Sequence, residues 1–346
     1  MKLLYFGTLE WGSSSLYRME TIRSLVDHVY SVDMRIMIDN HLNRSNWIKI
    51  QQRLGYGPLI SKINATIINE VRRYQPDVVW IDQGINISNK ALQKIKDITS
   101  ALLVHYTPDT LNAPGWKNRC FLNAVSQYDL CITTKEFDIE SYYKMGARNV
   151  LLTSKYFHPK IHRPLKLNTD DLKKYSCDVV FVGTRMEERA RSICNLMENF
   201  EGKIYLYGKN WKRGKTGAKL GILSRGWVDG EEYVKALIGA KICLGFLARN
   251  IGDIYTCRSI EIPACGGFLL AQRTVKHLEL FQEDIEAVFF DDDVEMIEKV
   301  NFYIRHPELR LKIAKAGHDK VKRLNITIHE IMKSCINTIN KMLIKQ

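Results

Sequence analysis

The stretch TCRSIEIPACGGFLLAQ, which runs from Thr256 to Gln272, places an arginine, a carboxylate and two adjacent glycines between apolar segments. This order of residues is typical of a short helix that ends at Gly266 and Gly267 and leads into a buried strand. At such a junction, backbone N–H groups, the Arg258 guanidinium and the Glu261 carboxylate can converge on a phosphorylated ligand. The alternative is an ordinary glycine cap beside an exposed Arg258–Glu261 pair. The segment therefore predicts an α/β fold with a candidate anion site.

The size and composition of the chain indicate a two-domain globular protein. Its 346 residues exceed one ordinary core and suit two domains of roughly 150 to 170 residues each. Hydrophobic residues make up 45% and charged residues 26%, and no apolar run approaches the roughly 20 residues of a membrane-spanning helix. The apolar start from Met1 to Gly7 is too short for a signal peptide and predicts a first strand. We therefore expect the protein in the cytoplasm.

The net charge of +13, from 51 lysines and arginines against 38 acidic residues, favours an anionic partner. Such a partner is a nucleotide, an anionic membrane surface or nucleic acid. Because the basic residues are dispersed along the chain, the charge also fits a simple bias of composition.

The eight cysteines form no Cys-x-x-Cys pair and no cluster with histidine, which predicts reduced, buried thiols rather than zinc ligands or disulfides.

Short apolar segments alternate with longer helical segments along the chain, which is typical of βαβ units. The first half contains predicted strands at Leu3–Phe6, Ser31–Ile38, Val78–Ile81, Ala101–His105, Leu130–Thr133 and Val150–Leu152. The second half contains predicted strands at Asp178–Gly183, Ile204–Tyr207, Arg225–Val228, Ile242–Phe246, Phe268–Ala271 and Ala287–Phe290. We therefore expect two Rossmann-like halves.

A proline-punctuated segment, FHPKIHRP at 157–164, and the polar run Asn168–Lys174 behind it separate the two halves. Because proline neither continues a strand ladder nor fits a helix interior, this region predicts a linker. We expect an N-terminal domain at 1–160 and a C-terminal domain at 175–320. The lysine-rich tail carries an apolar stripe at helical spacing, which predicts a last helix at 321–346.

Small residues also follow two of the other predicted strands. The first strand leads into Gly12, Ser13 and then Arg18, and a later strand ends in a Gly183-Thr184-Arg185 turn. Such residues let the backbone approach a ligand at the carboxyl end of a strand. The turn after the first strand is neither a G-x-G-x-x-G fingerprint nor a P-loop, so neither a dinucleotide fold nor an NTPase follows. For this first turn, an ordinary strand-to-helix connection is the alternative.

Together these segments resemble the CgeB-like branch of the GT-B glycosyltransferases, whose signature Arg-x-x-Glu-x-Pro-Ala-x-Gly-Gly is present as Arg258–Gly267. The resemblance covers nearly the whole chain and includes a Tyr-x-x-Asp segment at Tyr106 and Asp109. It implies an α/β GT-B fold, with two Rossmann-like domains facing across a cleft and a C-terminal helix crossing back to the N-terminal domain. It also implies sugar transfer from a nucleotide-diphosphate donor, expected to be a UDP-sugar, to an acceptor hydroxyl, with neither cofactor nor metal.

The resemblance also assigns the site residues. The donor-binding residues that it implies are Gly183, Thr184, Arg185, Gly208, Trp227, Asp253, Arg258, Glu261, Gly266 and Gly267. The acceptor-side residues that it implies are Gly12, Ser13 and Arg18. Asp109 or His105 is expected to deprotonate the acceptor hydroxyl, and Arg258 to stabilise the leaving diphosphate. The alternatives are a turn at Asp109 and a packed strand end at His105.

Two local features need separate interpretations. The run Asp291-Asp292-Asp293 looks like the metal-binding D-x-D of GT-A glycosyltransferases, but it lies between a predicted strand and a predicted helix. Aspartates in that place cap a helix, so we expect a cap rather than a metal site. Asp253 and Glu261 have the spacing D-x7-E, but Pro263 predicts a short or kinked helix, which leaves the geometry of that pair open.

For the acceptor we expect a surface glycan, a lipid-linked sugar or another hydroxyl compound. That acceptor would place the protein in the cytoplasm or at the inner face of the membrane. A DNA-modifying glycosyltransferase and a sugar-nucleotide epimerase of the same fold are the alternatives. Dispersed basic residues without an arginine-rich segment favour the glycan over nucleic acid.

Overall fold

The computed structural model describes the following residues: 1–35, 46–111, 118–249 and 252–345. The chain forms two compact units, of which the first comprises Met1–Lys155 with Ile328–Gln346 and the second comprises Tyr156–Thr327. Each unit contains one parallel β-sheet with its own apolar core. No helix in the described part of the chain is both long enough and apolar enough to span a membrane.

The first unit is built on a six-stranded parallel sheet with the order β2-β1-β3-β4-β5-β6. Its strands are β1 Lys2–Gly7, β2 His28–Asp33, β3 Val78–Asp82, β4 Leu102–Thr107, β5 Leu130–Thr133 and β6 Val150–Leu152. The central strands β3, β4 and β5 are buried along their whole length, since helices cover both faces of such a sheet. The chain reverses its direction of winding between β1 and β3, and ligands of doubly wound sheets bind at such a position.

The helices of the first unit are α1 Ser14–Arg23, α2 Asn46–Leu54, α3 Pro58–Tyr74, α4 Asn89–Ile98, α5 Arg119–Ala124, α6 Ile139–Lys144 and α15 Ile328–Leu343. Three of them begin with a side chain that accepts a hydrogen bond from a first-turn N–H: Ser13 before α1, Ser88 before α4 and Asn118 before α5. Helix α15 packs against α1, so the end of the chain is an integral part of this unit.

The second unit has a five-stranded parallel sheet with the order β11-β10-β9-β7-β8. Its strands are β7 Cys177–Val182, β8 Ile204–Tyr207, β9 Ala240–Gly245, β10 Leu269–Gln272 and β11 Val288–Phe290. Its helices are α7 Thr169–Tyr175, α8 Glu187–Asn199, α9 Gly217–Gly221, α10 Gly230–Ile238, α11 Arg258–Ala264, α12 Val275–Leu280, α13 Asp293–Arg305 and α14 Pro307–Leu324. In β7, Val180 belongs to one apolar cluster and Phe181 to another, because successive side chains point to opposite faces.

The structure confirms the predicted alternation of strands and helices, with two exceptions. Arg225–Val228 is not a strand, because Gly226 has a φ of +89° and the chain before it forms only a single bridge, between Ser224 and Leu206. The strand predicted at Ser31–Ile38 begins and ends earlier, at His28–Asp33, and residues 36–38 lie outside the described residues.

The predicted linker is part of the second unit. Asn168 and Asp171 form a capping box that starts α7, so most of the polar run that follows the prolines is helical. Ile161 and Leu165 pack against the apolar core of the unit. The division of the chain therefore lies at Lys155, ahead of the prolines that were expected to mark it.

The C-terminal tail consists of two helices rather than one. Helix α14 ends at Asn325, whose φ of +49° is left-handed, and α15 begins at Ile328. Asparagine tolerates this conformation because its short polar side chain can bond locally. The apolar stripe runs through both helices, so periodicity alone could not show where the chain passes from the second unit to the first.

A buried ion pair lies below the carboxyl ends of β1 and β3. Arg18 donates to both carboxylate oxygens of Asp82 at distances of 2.7 to 2.9 Å, and both side chains are 2% exposed. Ser15 Oγ donates to the same carboxylate at 3.0 Å, as does the hydroxyl of Tyr5. The Arg18 guanidinium also lies 4.5 Å from the centroid of the Tyr106 ring. The pair is therefore fully surrounded by partners, and it attaches α1 to the sheet.

Arg18→Met would leave the Asp82 carboxylate charged inside the core without its ion-pair partner. We expect the free energy of unfolding, measured by urea denaturation with circular dichroism, to fall by about 3–5 kcal/mol. Arg23→Met, at the exposed end of the same helix, is the matched control and should change it by less than about 0.5 kcal/mol. The double variant Arg18→Met/Asp82→Leu should recover most of the loss. Equal effects of the two single substitutions would contradict this role of the ion pair.

Candidate functional site

Three backbone turns meet at the carboxyl ends of β7 and β8 in the second unit. The Gly183 N–H donates to the Tyr207 carbonyl at 2.8 Å, and the Gly208 N–H donates to the Gly226 carbonyl at 2.7 Å. A Cβ atom at Gly208 would lie 2.3 Å from the Gly183 carbonyl oxygen, and Gly208 has a φ of +122°. Only glycine allows this close approach with that backbone conformation. The turns therefore leave a strand-end surface with little side-chain bulk.

Arg189 from α8 and Arg258 from the start of α11 lie beside the same aromatic ring. Their Cζ atoms are 5.6 Å and 5.7 Å from the ring centroid of Phe181. Arg189 Nη1 donates to the Thr184 carbonyl at 3.0 Å. Within the described residues, the buried Nε atoms of both arginines have no hydrogen-bond partner. Two cations are thus brought together with donors still available for an anion.

The electrostatics of this arginine pair favour a negatively charged ligand. Burial and the nearby positive charge of Arg258 lower the pKa of Arg189 to about 10, while the carboxylates of Asp253 and Glu188 act in the opposite direction. The guanidinium still carries its proton at neutral pH, so the two like charges repel each other. A phosphate group beside them would accept hydrogen bonds from both and remove that repulsion.

Asp253 lies before α11 and not on it. Its Oδ2 accepts from the Ala248 N–H at 3.4 Å, and its own N–H donates to the Ala248 carbonyl at 3.2 Å. Helix α11 is short, as the proline predicted, and Pro263 lies near its end. Asp253 and Glu261 therefore do not share one helix, so their D-x7-E spacing does not place them on a common helical face.

Glu261 is held in place by a tyrosine. The Tyr233 hydroxyl donates to Glu261 Oε2 at 2.7 Å, and the other carboxylate oxygen lies 3.8 Å from His162 Nδ1. His162 Nδ1 accepts from the His158 N–H at 3.0 Å, and burial lowers the pKa of His162 although Glu261 opposes this. The lowered pKa of His162 favours the neutral imidazole, and Glu261 retains lone pairs that can accept from hydroxyl donors.

The double glycine ends α11 as predicted. Gly266 has a φ of +82°, and its N–H donates to the Pro263 carbonyl at 2.9 Å. The Gly267 N–H donates to the Ile262 carbonyl at 2.9 Å, and a Cβ atom at Gly267 would lie 3.1 Å from Ile262 Cγ2. Gly266 is exposed and Gly267 is buried, so Gly267 contributes packing at the helix end.

Arg185 makes different contacts from Arg189. Its Nη2 donates to Glu187 Oε2 at 2.9 Å and to Thr216 Oγ1 at 3.1 Å, and its backbone N–H donates to the Lys209 carbonyl. These bonds attach the turn after β7 to the segment after β8. The structure thus pairs Arg258 with Arg189 and not with Arg185, whose contact with a donor stays a prediction.

Trp227 presents an open ring beside these turns. Its side chain is 58% exposed, Lys209 Nζ lies 5.0 Å from its ring centroid, and its Nε1 donates to Asp229 Oδ2 at 3.3 Å. Large aromatic side chains on a surface are well suited to stack on a flat ligand. That Trp227 lies beside a nucleotide base stays a prediction.

The structure corrects the role predicted for His105 in the first unit. His105 is fully buried among Phe121, Tyr128 and Tyr142, whose ring centroids are 5.1 to 5.9 Å away. Its Nε2 pairs with the Tyr142 hydroxyl at 3.0 Å, and burial lowers its pKa to about 3. The prediction that His105 faces a substrate is wrong because both faces of β4 are covered.

Asp109, by contrast, lies exposed just beyond the end of β4. Its Oδ2 accepts from Gln83 Nε2 at 3.1 Å, and its N–H donates to Thr107 Oγ1 at 3.1 Å. The second bond makes a local turn, as the alternative interpretation expected. The carboxylate remains accessible at the carboxyl ends of β3 and β4, and it can accept a proton from a hydroxyl group.

A cavity of about 130 Å³ lies at the same sheet edge, where the winding direction changes between β1 and β3. Its lining includes Gly7 and Thr8 from one strand end and Asp82, Gly84 and Asn86 from the other. Ligands of open α/β sheets bind outside the carboxyl ends of strands at this kind of position. The cavity is therefore the candidate ligand site of the first unit.

Two of the three predicted acceptor-side residues have structural roles. Ser13 Oγ donates to the Thr8 carbonyl at 2.8 Å and accepts from the Leu16 N–H at 3.1 Å, which caps α1. The prediction that Arg18 faces an acceptor is wrong, because its guanidinium is buried against Asp82. Gly12 has a φ of +79° in the turn before the cap, where glycine is favoured.

A known family and several known structures are similar to this chain. A family model described as "Glycosyl transferase-like" matches residues 188–335. The structure of sucrose-phosphate synthase from Thermosynechococcus elongatus is similar to the whole chain over its own whole length, with a TM-score of 0.71 and 11% identity. Anabaena HepE in complex with UDP-glucose has a TM-score of 0.68 and 13% identity, covering 99% of this chain and 100% of HepE. No curated protein matches the sequence.

The fold is GT-B. The galactosyltransferase WaaB of the lipopolysaccharide outer core, in its apo form, is similar as well, with a TM-score of 0.59 and 12% identity over 98% of this chain and 99% of WaaB. The two Rossmann-like units of the GT-B fold correspond to the two parallel sheets described above. The comparisons do not distinguish the CgeB-like branch, which stays a prediction.

The aspartate run of this GT-B chain caps a helix, as predicted. Asp292 Oδ1 accepts from the Glu295 N–H at 2.9 Å at the start of α13. Asp291 pairs with Arg273, which also donates to Glu283 at 2.6 Å. Across 1–35, 46–111, 118–249 and 252–345, no three His, Cys, Asp or Glu side chains come close enough together to hold a metal ion. Asp291 is thus part of a charge network around Arg273, while Asp292 is a helix cap.

Sequence reasoning missed three residues of the candidate donor side of the GT-B fold. Arg189 follows the Gly183 turn in the sequence, but no local pattern indicates that it, rather than Arg185, lies beside Arg258. Tyr233 lies on an amphipathic helix, where an aromatic residue is ordinarily core. His162 lies in a segment that looked like a linker. Nothing in the local sequence indicates that Tyr233 and His162 approach Glu261, because these contacts span 28 and about 100 residues of chain.

Tyr233→Phe should loosen Glu261 without removing its charge. Since hydrogen bonds to charged groups contribute about 1.5–3 kcal/mol, we expect binding of UDP, the anticipated donor nucleotide, to weaken roughly tenfold in calorimetry. Tyr303→Phe is the matched control, because it removes another tyrosine–carboxylate bond of the same unit, the 3.2 Å bond to Asp284. Identical UDP affinities for the two variants would show that Tyr233 does not serve the site.

Proposed function

We propose that this GT-B protein is a glycosyltransferase that moves a sugar from a nucleotide-diphosphate donor to an acceptor hydroxyl. The observation that carries this proposal is the pairing of Arg189 and Arg258 beside glycine turns at the ends of parallel strands. The matching family model begins at residue 188 and so includes both arginines, Asp253 and Glu261. The stretch that matches the family model therefore contains the residues on which this proposal rests.

The arginine pair suits the electrostatics of glycosyl transfer. When the bond between the sugar carbon and the diphosphate oxygen breaks, the electron pair stays with the diphosphate, which gains negative charge. Two guanidiniums beside that oxygen interact more strongly with the transition state than with the bound donor. Because burial weakens screening by water, their effect exceeds that of exposed cations. Arg189 and Arg258 would thus stabilise the leaving group.

Glu261 and Trp227 would bind the nucleoside part of the donor. A carboxylate that is already oriented by Tyr233 can accept hydrogen bonds from two ribose hydroxyls. The exposed indole of Trp227 offers a flat apolar face for a base. UDP is the nucleotide we propose, because the similar HepE structure contains UDP-glucose. A small set of fixed polar groups beside an apolar face is typical of such sites.

Asp109 would act as the base on the acceptor side. Its carboxylate is exposed, is oriented by Gln83 and lies at the strand ends of the first unit, as does the cavity that we assign to the acceptor. It would take the proton from the acceptor hydroxyl as that oxygen bonds to the sugar carbon. We propose a surface glycan or a lipid-linked sugar as the acceptor. Metal independence is part of this proposal, since arginines are assigned the role of charge stabilisation.

Arg189→Gln and Arg258→Gln should each lower kcat roughly 100-fold in a transfer assay with UDP-sugars, since loss of one transition-state donor costs about this much. Arg191→Gln is the matched control, because Arg191 is exposed on the same helix as Arg189. Release of UDP from a panel of UDP-sugars with candidate acceptors measures the rate. Full activity in both Arg189→Gln and Arg258→Gln would contradict the proposed role of the arginine pair.

The same assay separates the alternative functions. Conversion of a UDP-sugar into its epimer without any acceptor would identify an epimerase instead. Transfer to hydroxymethylated duplex DNA, together with binding that weakens steeply with salt, would identify a DNA-modifying enzyme. Transfer to a glycan or lipid-linked acceptor, with slow hydrolysis of the donor alone, is the outcome that we expect.

We also propose that an anionic phospholipid bilayer is a partner of the first unit. Helix α2 turns Ile48 toward the core but exposes Trp47, Ile50 and Leu54 on one face. Residues 40–69 contain no aspartate or glutamate, and the lysines and arginines of this stretch are Arg44, Lys49, Arg53 and Lys62. A depression of about 440 Å³ beside Leu54 is lined by Lys90 and Arg119. Apolar and aromatic side chains with a basic surround fit an anionic membrane interface.

Ile50→Ser/Leu54→Ser should reduce co-sedimentation with vesicles of phosphatidylglycerol and phosphatidylcholine about tenfold, because buried apolar area drives insertion. Leu172→Ser/Ile222→Ser removes two exposed aliphatic residues of the second unit and should have no effect. Binding to pure phosphatidylcholine should be weak. Equal binding of both double variants would contradict this surface, and concentration-dependent dimerisation lost in Ile50→Ser/Leu54→Ser would assign it to a second copy of the chain.

A further inference from the structure

The last residue of β10 and the segment that follows it hold the loop and helix start that carry Asp253 and Arg258. Gln272 Oε1 accepts from the Leu247 N–H at 2.8 Å, and Thr274 Oγ1 donates to the Ile254 carbonyl at 2.7 Å. A third bond, of 2.8 Å, joins His277 Nε2 to Ser259 Oγ, in the residue next to Arg258. One short segment thus fixes the chain at three points around the candidate diphosphate site.

The direction of the third bond can be assigned. His277 Nδ1 lies 2.7 Å from the Gln272 carbonyl, which can only accept, so Nδ1 carries the proton. In the neutral ring Nε2 is then an acceptor, and the Ser259 hydroxyl must donate to it. Ser259 Oγ in turn accepts from the Thr256 N–H at 3.2 Å. A directed chain therefore runs from Thr256 through Ser259 and His277 to Gln272.

Burial keeps the His277 imidazole in the neutral state that these hydrogen bonds require. Neither Ser259 nor His277 has more than 1% of its surface exposed, and the imidazole stacks on Phe289 with centroids 5.2 Å apart and an interplanar angle of 7°. Burial lowers the pKa of His277 to about 4, so the ring is neutral throughout the physiological range. Protonation would replace the acceptor at Nε2 by a second donor and break the bond from Ser259.

This series of hydrogen bonds starts at the first turn of α11. The Thr256 N–H and the Ser259 side chain are joined across the point where the helix begins, and Arg258 lies between them. A helix of seven residues has few internal hydrogen bonds, so its first turn depends on such outside partners. The direction in which Arg258 leaves the backbone therefore follows from the position of Ser259.

We infer that Ser259 and His277 are positioning residues that aim the Arg258 guanidinium at the diphosphate of the donor. This inference rests on the proposed function and deepens it. Neither side chain touches the ligand, since both are enclosed in the core beneath the site. They act through the backbone of α11, in the way that buried partners orient the groups that contact a ligand.

The test is a double-mutant cycle on UDP binding, measured by calorimetry. Ser259→Ala and Arg258→Gln should each weaken UDP binding roughly tenfold in the full-length protein. If Ser259 acts through Arg258, Ser259→Ala should have no further effect when Arg258→Gln is already present. Independent, additive losses would overturn the inference, because they would mean that Ser259 affects the site by another route.

Two histidine substitutions give a second readout. In His277→Gln the side-chain amide reaches the position of Nε2 and can accept from Ser259, whereas in His277→Asn it occupies the position of Nδ1 and cannot. We therefore expect near-normal UDP affinity and kcat in His277→Gln and a tenfold loss of both in His277→Asn. Equal behaviour of the two variants, with equal melting temperatures, would reject the role of the Ser259 bond.

A control at the other end of α11 excludes general loosening of the helix. His318 Nδ1 bonds to the Pro263 carbonyl at 3.0 Å, so His318→Ala removes a partner of the same helix far from Arg258. It should leave UDP affinity within about twofold, and a tenfold loss would overturn the inference. Failure of the unmodified protein to bind UDP would instead count against the proposed function. Normal binding together with an unaffected Ser259→Ala variant would reject the positioning role alone.

Discussion

Two guanidiniums held beside one aromatic ring are the electrostatic feature on which the candidate site of the second unit depends. Arg189 and Arg258 come from different helices and meet at Phe181, on the strand whose end forms the Gly183 turn. Bringing like charges together in a partly buried place costs free energy, so the surrounding structure must hold both side chains. The diphosphate that we propose as the ligand would offset this repulsion by accepting hydrogen bonds from both guanidiniums.

The two units treat buried arginine in opposite ways. In the first unit Arg18 is matched by one carboxylate, that of Asp82, with which it makes several hydrogen bonds in a closed environment. In the second unit Arg189 and Arg258 have donors that other described residues do not use, although the carboxylates of Asp253 and Glu188 partly offset the charge around Arg189. The first arrangement stabilises a helix on a sheet, while the second is the one that we propose binds the donor diphosphate. Whether a buried arginine has a structural role or is a candidate for ligand binding thus depends on how completely nearby carboxylates pair with it.

Local sequence patterns predicted the framework because short-range physics decides it. Buried parallel strands are recognisable in the sequence as continuous apolar runs. Asp292 caps the helix that follows β11, and Gly266 ends α11 in a left-handed conformation, so both boundaries were visible in the local sequence. Where local signals were ambiguous, the predictions were wrong. Arg225–Val228 has the residues of a strand but lacks a neighbour with which to pair continuously. His105 is polar at a strand end, yet the cover over that strand makes it a core residue.

By itself, the sequence determined the α/β class, the nearly complete set of strands and the segment in which the candidate donor site lies. These follow from periodicity, turn residues and helix caps, which act over a few residues. Only the tertiary structure decided that Arg189 rather than Arg185 accompanies Arg258, that Tyr233 orients Glu261, and that a buried histidine supports Ser259. Those pairings join side chains that are distant along the chain. Because their distances depend on how helices pack on a sheet, no local pattern of residues specifies them.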